Sequence, residues 1–268
     1  MKKLFLAALA ACLSTQAAFA AFDLRVTEVW PGNTAGDDLT DDWFEVTNFG
    51  DMPWVASTDG DLYFEDDSAD ADRADLISGV ASIAPGESVI FVDGLSDPQD
   101  DLNLFLWRQV WNGPLTTAGR TIPQLGTYNG SGLSGTSGDA VALFLDSDLS
   151  GTPEQDELLL TQPHAGNLTR PGQSFDTNIV GSVTTSTEFQ EDINGDPILD
   201  NQGNLIPTAF DTFFGAFTTT RFGIVTAPNG NGEPAIASPG FLPVPEPTSV
   251  GLISLAIGML SVAGRRRK

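Results

Sequence analysis

Turn-forming residues interrupt this chain so often that only short strands fit between them. Its 268 residues include 28 Gly and 17 Pro. Between these breaks lie runs rich in Val, Thr and Phe, side chains that suit a pleated, half-buried surface. Residues 23–30 (DLRVTEVW) and 43–49 (WFEVTNF) read as strands on either side of a polar loop. In the second, alternation buries Phe44 and Val46 on one face and turns Glu45 and Thr47 outward. Residues 61–65 (DLYFE) form another short strand, and 82–93 (SIAPGESVIFVD) a Pro-Gly turn feeding a strand that is apolar on both faces.

Further along, Leu104, Trp107, Val110 and Trp111 have helical spacing, which predicts one short helix within 103–111. Residues 139–146 (DAVALFLD) are the strongest strand, and 157–161 (ELLLT) pairs with it as a hairpin. The pattern loosens beyond residue 165 and recovers as a strand at 212–226, with PAIASPGF as the last ordered segment. Nothing repeats at 20–50 residues, which excludes a solenoid or propeller. Many short strands and no long helix predict an all-β antiparallel β-sandwich. Its core would hold Phe44, Val46, Val89, Phe91, Val141 and Leu143 in facing strands.

Both ends fall outside that pattern. Residues 1–20 run from Lys2 and Lys3 through an apolar stretch to Ala18-Phe19-Ala20, the order of a secretory signal with an A-x-A cleavage site. Cleavage after Ala20 by signal peptidase leaves a mature chain starting near Ala21. Leu9-Ala10-Ala11-Cys12 offers a lipobox-like alternative that would make a lipidated Cys12 the first mature residue. At the other end, the 17 residues from Thr248 to Gly264 carry no charge, at the short limit for a spanning helix. Arg265, Arg266, Arg267 and Lys268 follow at once, a basic stop that fits the positive-inside rule. This tail reads as a halt during export.

Charge and scarce residue types narrow the function. Lys and Arg total 12 against 36 Asp and Glu, and the two ends hold half of those bases. An acidic body repels nucleic acid and anionic lipid, so no nucleic-acid partner is expected. Cys12 is the only cysteine and lies in the leader, so the mature chain has neither a disulfide nor a thiolate. His164 is the only histidine, in a stretch (QPHAG) that reads as a turn with a solvated ring. A zinc site has too few ligands, and no G-x-S-x-G, P-loop or HExxH occurs. The chain is therefore expected not to be an enzyme.

Two resemblances add to this reading. LRVTEVWPG followed by DWFEVTNFGD, then SIAPGESVIFVDG, SGLSGTSGDAVALFLDSD and the ASPG ending at Gly240 resemble, in order, the motifs of the lamin-tail domain. That resemblance implies an immunoglobulin-like fold over residues 22–240, with an insertion around 165–210. Bacterial versions resemble accessory modules on exported proteins. The tail, with Pro245-Glu246-Pro247 ahead of the apolar run and basic end, resembles the PEP-CTERM sorting signal of Gram-negative bacteria. It implies recognition of the tripeptide by exosortase, a transient inner-membrane tether and removal of the tail. The domain plan is then a signal peptide at 1–20, the β body at 22–240, and a linker with sorting signal at 241–268. The signal helix and the sorting helix stand outside the fold.

Calcium is the only cofactor the residues suggest. In DSDLSGTPEQDE (146–157), Asp146, Asp148, Ser150, Thr152 and Glu157 occupy EF-hand ligand positions one, three, five, seven and twelve, with Gly151 at six. The flanks are strands rather than helices, and Pro153 lacks the N–H that position eight uses. The bland alternative is an acidic hairpin loop. Asp192, Asn194, Asp196 and Asp200 form a weaker second set. Trp30, Trp43, Trp54, Trp107 and Trp111 suit either the core or a sugar-stacking platform. The leading expectation is a non-catalytic module of the cell surface or extracellular matrix that binds protein or polysaccharide. A calcium-dependent adhesion module and a hydrolase of extracellular polymers are the alternatives.

Overall fold

Strand β1 (Leu24–Trp30) lies antiparallel to β2 (Trp43–Asn48), and β2 to β7 (Ser88–Asp93). The computed structural model describes residues 21–31, 41–66, 68–94, 102–130, 132–135, 138–166, 172–177, 182–189, 207–214, 216–217, 225–228 and 234–240. The leader, the second acidic set at 192–200 and the tail from 241 lie outside these. With β8 (Gln124–Tyr128), β11 (Phe175–Asp176) and β14 (Ala216–Phe217), the first three strands make a six-stranded sheet in the order β14-β11-β1-β2-β7-β8. A second sheet runs β10-β9-β4-β5, from β4 (Leu62–Glu65), β5 (Asp75–Leu76), β9 (Asp139–Leu145) and β10 (Leu158–His164). Strands β3 (Trp54–Val55) and β6 (Ser82–Ile83) pair separately, as do β12 (Ser182–Phe189) and β13 (Pro207–Phe214), and β15 (Val225–Pro228) and β16 (Pro234–Ala237). The described residues are thus mostly β, with few helices.

The two large sheets share one apolar core. Val26, Val29, Phe44, Val46, Val89 and Phe91 from the first meet Leu62, Phe64, Val141 and Leu143 from the second. Phe44 stacks on Phe64 with centroids 5.5 Å apart, and Tyr128 lies 4.3 Å from Phe64. All six expected core residues are fully buried. The β9–β10 hairpin forms with the expected partners, Thr161 opposite Ala142 and Gln162 opposite Val141. Gly86 makes the turn before β7 at φ 74°, in the left-handed region where a side chain is disfavoured.

Five expectations need correction. The arrangement is not wholly antiparallel, because β7 and β8 pair in parallel. A parallel pair needs a long crossover, and the helix Leu102–Thr117 lies in it, longer than the one predicted over 103–111. The strand read at 212–226 is divided, with β13 ending at Phe214 and β15 starting at Val225. Glu45 and Thr47 do not face outward: both are buried. His164 is not in a solvated turn but ends β10, fully buried.

The burial of Glu45 and Thr47 follows from what covers the far face of the six-stranded sheet. Trp30, Trp43, Ile90 and Val92 on that face join Leu104, Trp107, Val110, Trp111 and Leu115 of the long helix in a second apolar cluster. Ala235 and Ala237 of β16 belong to it too. The sheet is therefore buried on both sides, and polar residues at its alternate positions have no route to water.

Candidate functional site

Three polar places among the described residues bear on function. The first is the acidic loop between β9 and β10. One ligand oxygen each from Asp146, Asp148 and Glu157 lies within 4.8 Å of the others. The loop closes on itself to achieve this. The Ser150 N–H donates to Asp146 Oδ1 and Asp148 Oδ1, both at 2.9 Å, and the Gly151 N–H donates to Asp146 Oδ2 at 2.8 Å. Glu157 Oε1 accepts from the N–H and the hydroxyl of Ser147, both at 2.7 Å, and its Oε2 from the Glu154 N–H at 3.1 Å. Gly151 takes φ 90°, and Leu149 takes φ 61°.

These donors favour the charged forms of Asp146 and Glu157. Burial works to raise the Asp146 carboxyl, but the Gly151 and Ser150 donors outweigh it and the net shift is downward. Glu157 is lowered chiefly by the Ser147 hydroxyl, against a desolvation cost and with further help from backbone N–H groups. Of the five residues read as ligands, the three acids converge. Ser150 spends its hydroxyl on Asp146 Oδ1 (3.2 Å) and on the Thr152 carbonyl (2.8 Å). An ionised carboxylate has about four acceptor sites, so the loop donors leave lone pairs for a hard cation.

The second place is an open groove of about 620 Å³ where β1 passes β10, lined by residues including Asp23, Arg25, Thr161, Gln162 and Thr177. Arg25 is held there by Asp23 at 2.5 Å and lies over the Phe49 ring, 4.9 Å from its centroid. Leu159 and Leu160 add apolar wall. Guanidinium, hydroxyl and amide groups beside aliphatic carbon suit a polar polymer or an extended peptide.

The third place was not foreseen. The β1 register shifts between Val26 and Glu28, so that Thr27 and Glu28 both lie against Glu45. A bulge of this kind gives two successive residues to one face, and here it aims a hydroxyl and two carboxyls at the same spot. Glu45 Oε1 accepts from Thr27 Oγ1 at 2.5 Å, and Glu45 Oε2 from the Gly240 N–H at 2.5 Å. Glu28 Oε1 accepts from the Ser174 hydroxyl and, at 2.6 Å, from the Ser238 N–H. Asp176 Oδ2 accepts from the Ser238 hydroxyl at 3.2 Å, and Arg120 Nη1 donates to the Ser238 carbonyl at 3.4 Å.

Burial raises Glu28 well above the carboxylate range, with the Glu45 and Asp176 charges adding and the Ser174 and Ser238 donors opposing. Glu45 is pushed up to about 7, first by burial, against the Thr27 and Gly240 donors. Arg120 is lowered by the same burial, with the two glutamates pulling the other way. A signal for this cluster was present in the sequence. Trp43 shares the face of Glu45, and residues 88–93 are apolar on both sides, so a cover over that face was already implied.

Of the two uses open to the tryptophans, the core is the one observed. All five tryptophans are at most 2 % exposed. Trp30 and Trp43 stack at 6.0 Å, Trp111 meets both edge-on, and Trp107 meets Trp43 edge-on. These four indole N–H groups have no hydrogen-bond partner, which fits an edge-to-face packing against aromatic rings. His164, pulled down to about 4 by burial, stays neutral.

Among the described residues no helix is long and apolar enough to cross a membrane. Ala18 and Ala20, the tripeptide Pro245-Glu246-Pro247 and the basic stop at 265–268 lie outside them. Comparison with known families matches residues 243–268 to the PEP-CTERM protein-sorting motif. No curated protein and no solved structure matches the chain. The lamin-tail resemblance gains no support from these comparisons and is carried by its motifs alone. The sorting motif marks an exported protein, processed by exosortase and held for a time in the membrane by its C-terminal segment.

Proposed function

We propose that residues 22–240 are a lamin-tail-like, immunoglobulin-like β-sandwich that serves as a non-catalytic module of the cell surface or extracellular matrix of a Gram-negative bacterium. In this reading signal peptidase removes residues 1–20, exosortase removes the tail, and the released body binds surface polysaccharide or protein. The observation that carries it is the meeting of motif residues from far apart in the chain. Glu28 of LRVTEVW, Glu45 of WFEVTN and the Ser238-Pro239-Gly240 ending are tied together by direct hydrogen bonds. The groove beside Arg25 supplies a polar surface of the size a polymer chain needs.

The test is retention of the purified body on polysaccharide and protein extracted from the native cell surface, with polymer length followed in parallel. Retention without shortening is the expected result, and Arg25→Ala should weaken it. Shortening of the polymer would replace this reading with the hydrolase, and absence of any retention would overturn it.

A second reading, a calcium-dependent adhesion module, is favoured by the convergence of Asp146, Asp148 and Glu157. Calcium at 100 times its dissociation constant would stabilise the fold by roughly 2.7 kcal/mol through linkage. Thermal melts with and without calcium at constant ionic strength decide it. A calcium-specific rise lost in Glu157→Gln supports the site, and equal melts return the loop to an acidic hairpin.

A further inference from the structure

We propose that residues 238–240 are a proton-held clasp, closed on Glu28 and Glu45 and loosened when both carboxyls are charged. The strand before it, β16, is fixed independently, by its pairing with β15 and by the burial of Ala235 and Ala237. The Ile236 N–H donates to the Gly172 carbonyl at 2.6 Å, and the Ile236 carbonyl accepts from the Ser174 N–H at 3.1 Å. Beyond β16, however, the chain is held by side chains: Ser238 and Gly240 give their backbone N–H groups to the two glutamates. The segment therefore depends on acids placed on β1 and β2, about 200 residues earlier in the chain.

The bonding pattern tolerates a proton on either acid. Glu28 makes both of its bonds through Oε1, and its Oε2 is buried without a hydrogen-bond partner. A proton on Oε2 leaves the Ser238 bond intact. Glu45 uses both oxygens, but its Oε1 meets a hydroxyl, and a hydroxyl can reverse. Thr27 Oγ1 lies 3.1 Å from Thr47 Oγ1, which lies 2.6 Å from Ser88 Oγ, so a protonated Oε1 can donate to Thr27 while the chain of hydroxyls turns. Gly240 keeps its acceptor, Oε2, throughout. Protonation thus removes charge from two buried carboxyls and breaks neither backbone bond. Loss of the protons leaves Glu28, Glu45 and Asp176 charged together, with Arg120 as the cation facing them. Like charges in a low-dielectric site repel strongly.

The clasp sits just ahead of the sorting signal. Only residues 241–244 separate Gly240 from Pro245, a leash of at most about 14 Å when extended. Opening the clasp adds residues 238–240 to that leash, while β16 stays paired with β15.

Amide hydrogen exchange of the full chain in mild detergent tests this, between about pH 5 and about pH 8, with rates corrected for intrinsic base catalysis. Each unit by which an acid is raised in the closed state is a tenfold change in opening. The Ser238 and Gly240 amides should open about tenfold more often at the upper pH, while the Val46 and Val89 amides stay unchanged. Glu45→Gln should flatten that dependence. Equal opening at both pH values in the wild type would overturn the clasp, and so would a rise shared equally by Val46 and Val89. The wild-type comparison decides the matter even if the variant does not fold.

Discussion

Two residues apart on β2, Trp43 and Glu45 face the same way and sit in opposite chemistry. Around Trp43 the cover is the long helix, joined to the sheet by the β7–β8 crossover, and the contacts are aromatic edges and aliphatic carbon. Around Glu45 the cover is the closing segment at 238–240, and the contacts are N–H and O–H groups aimed at carboxylate oxygens. The apolar half needs only to exclude water. The acid half supplies donors to three of the four oxygens of Glu28 and Glu45 and leaves only Glu28 Oε2 unpaired, because an unpaired buried acceptor costs on the order of 1–3 kcal/mol. That difference makes the first half a rigid wall and the second half a place where solution conditions can act.

The comparison is sharpest in Trp43→Ala. It removes a side chain in contact with Trp30, Trp107 and Trp111 and should cost about 3–5 kcal/mol at any pH, read as a large drop in melting temperature. A small drop would mean that the helix does not seal this face. Glu45→Ala should cost less, about 1–3 kcal/mol near pH 4.5, because it strands the Thr27 hydroxyl and the Gly240 N–H. Its cost should shrink toward pH 8. The reason is linkage: Glu45 is raised from the ordinary value of 4.5 to about 7, so the stability it contributes is complete below 4.5 and is lost as pH rises through about 7. A variant penalty that grew with pH would break the contrast between the halves.

The loop acids should show the opposite sign. Asp146 and Glu157 are lowered, so their stabilisation is complete above the ordinary carboxylate range and is lost as pH falls through their folded values. Glu157 is exposed enough for water to screen it, and Glu157→Gln without calcium should change stability by no more than about 0.5 kcal/mol. A denaturant titration at neutral pH measures this smallest effect. A loss as large as that of Glu45→Ala would show the loop to be part of the structural frame.

Most of the fold was legible where one strand face was dry and the other carried a clear alternation. Phe44, Val46, Val89, Phe91, Val141 and Leu143 were placed by period alone, and the β9–β10 hairpin by its acidic turn. Glu45 and Thr47 were misplaced for one shared reason. Alternation separates two faces but does not say whether the second is wet, and the helix and residues 234–240 that cover it are distant in the chain. The bulge at Thr27 was illegible because a one-residue register shift leaves no local mark in LRVTEVW. The loop acids were found because their spacing is local. The clasp required residues 28, 45, 176 and 238 to meet, which only the fold reveals.

In the proposed function the body is cargo between two processed ends, with residues 238–240 fastened just ahead of the sorting motif. Intact-mass measurement of the protein isolated from its native cells tests this most directly. The predicted species begins at Ala21 and lacks the apolar run and the basic residues Arg265 to Lys268. A mass that still includes Lys268 would contradict exosortase removal and leave a permanently anchored protein in its place.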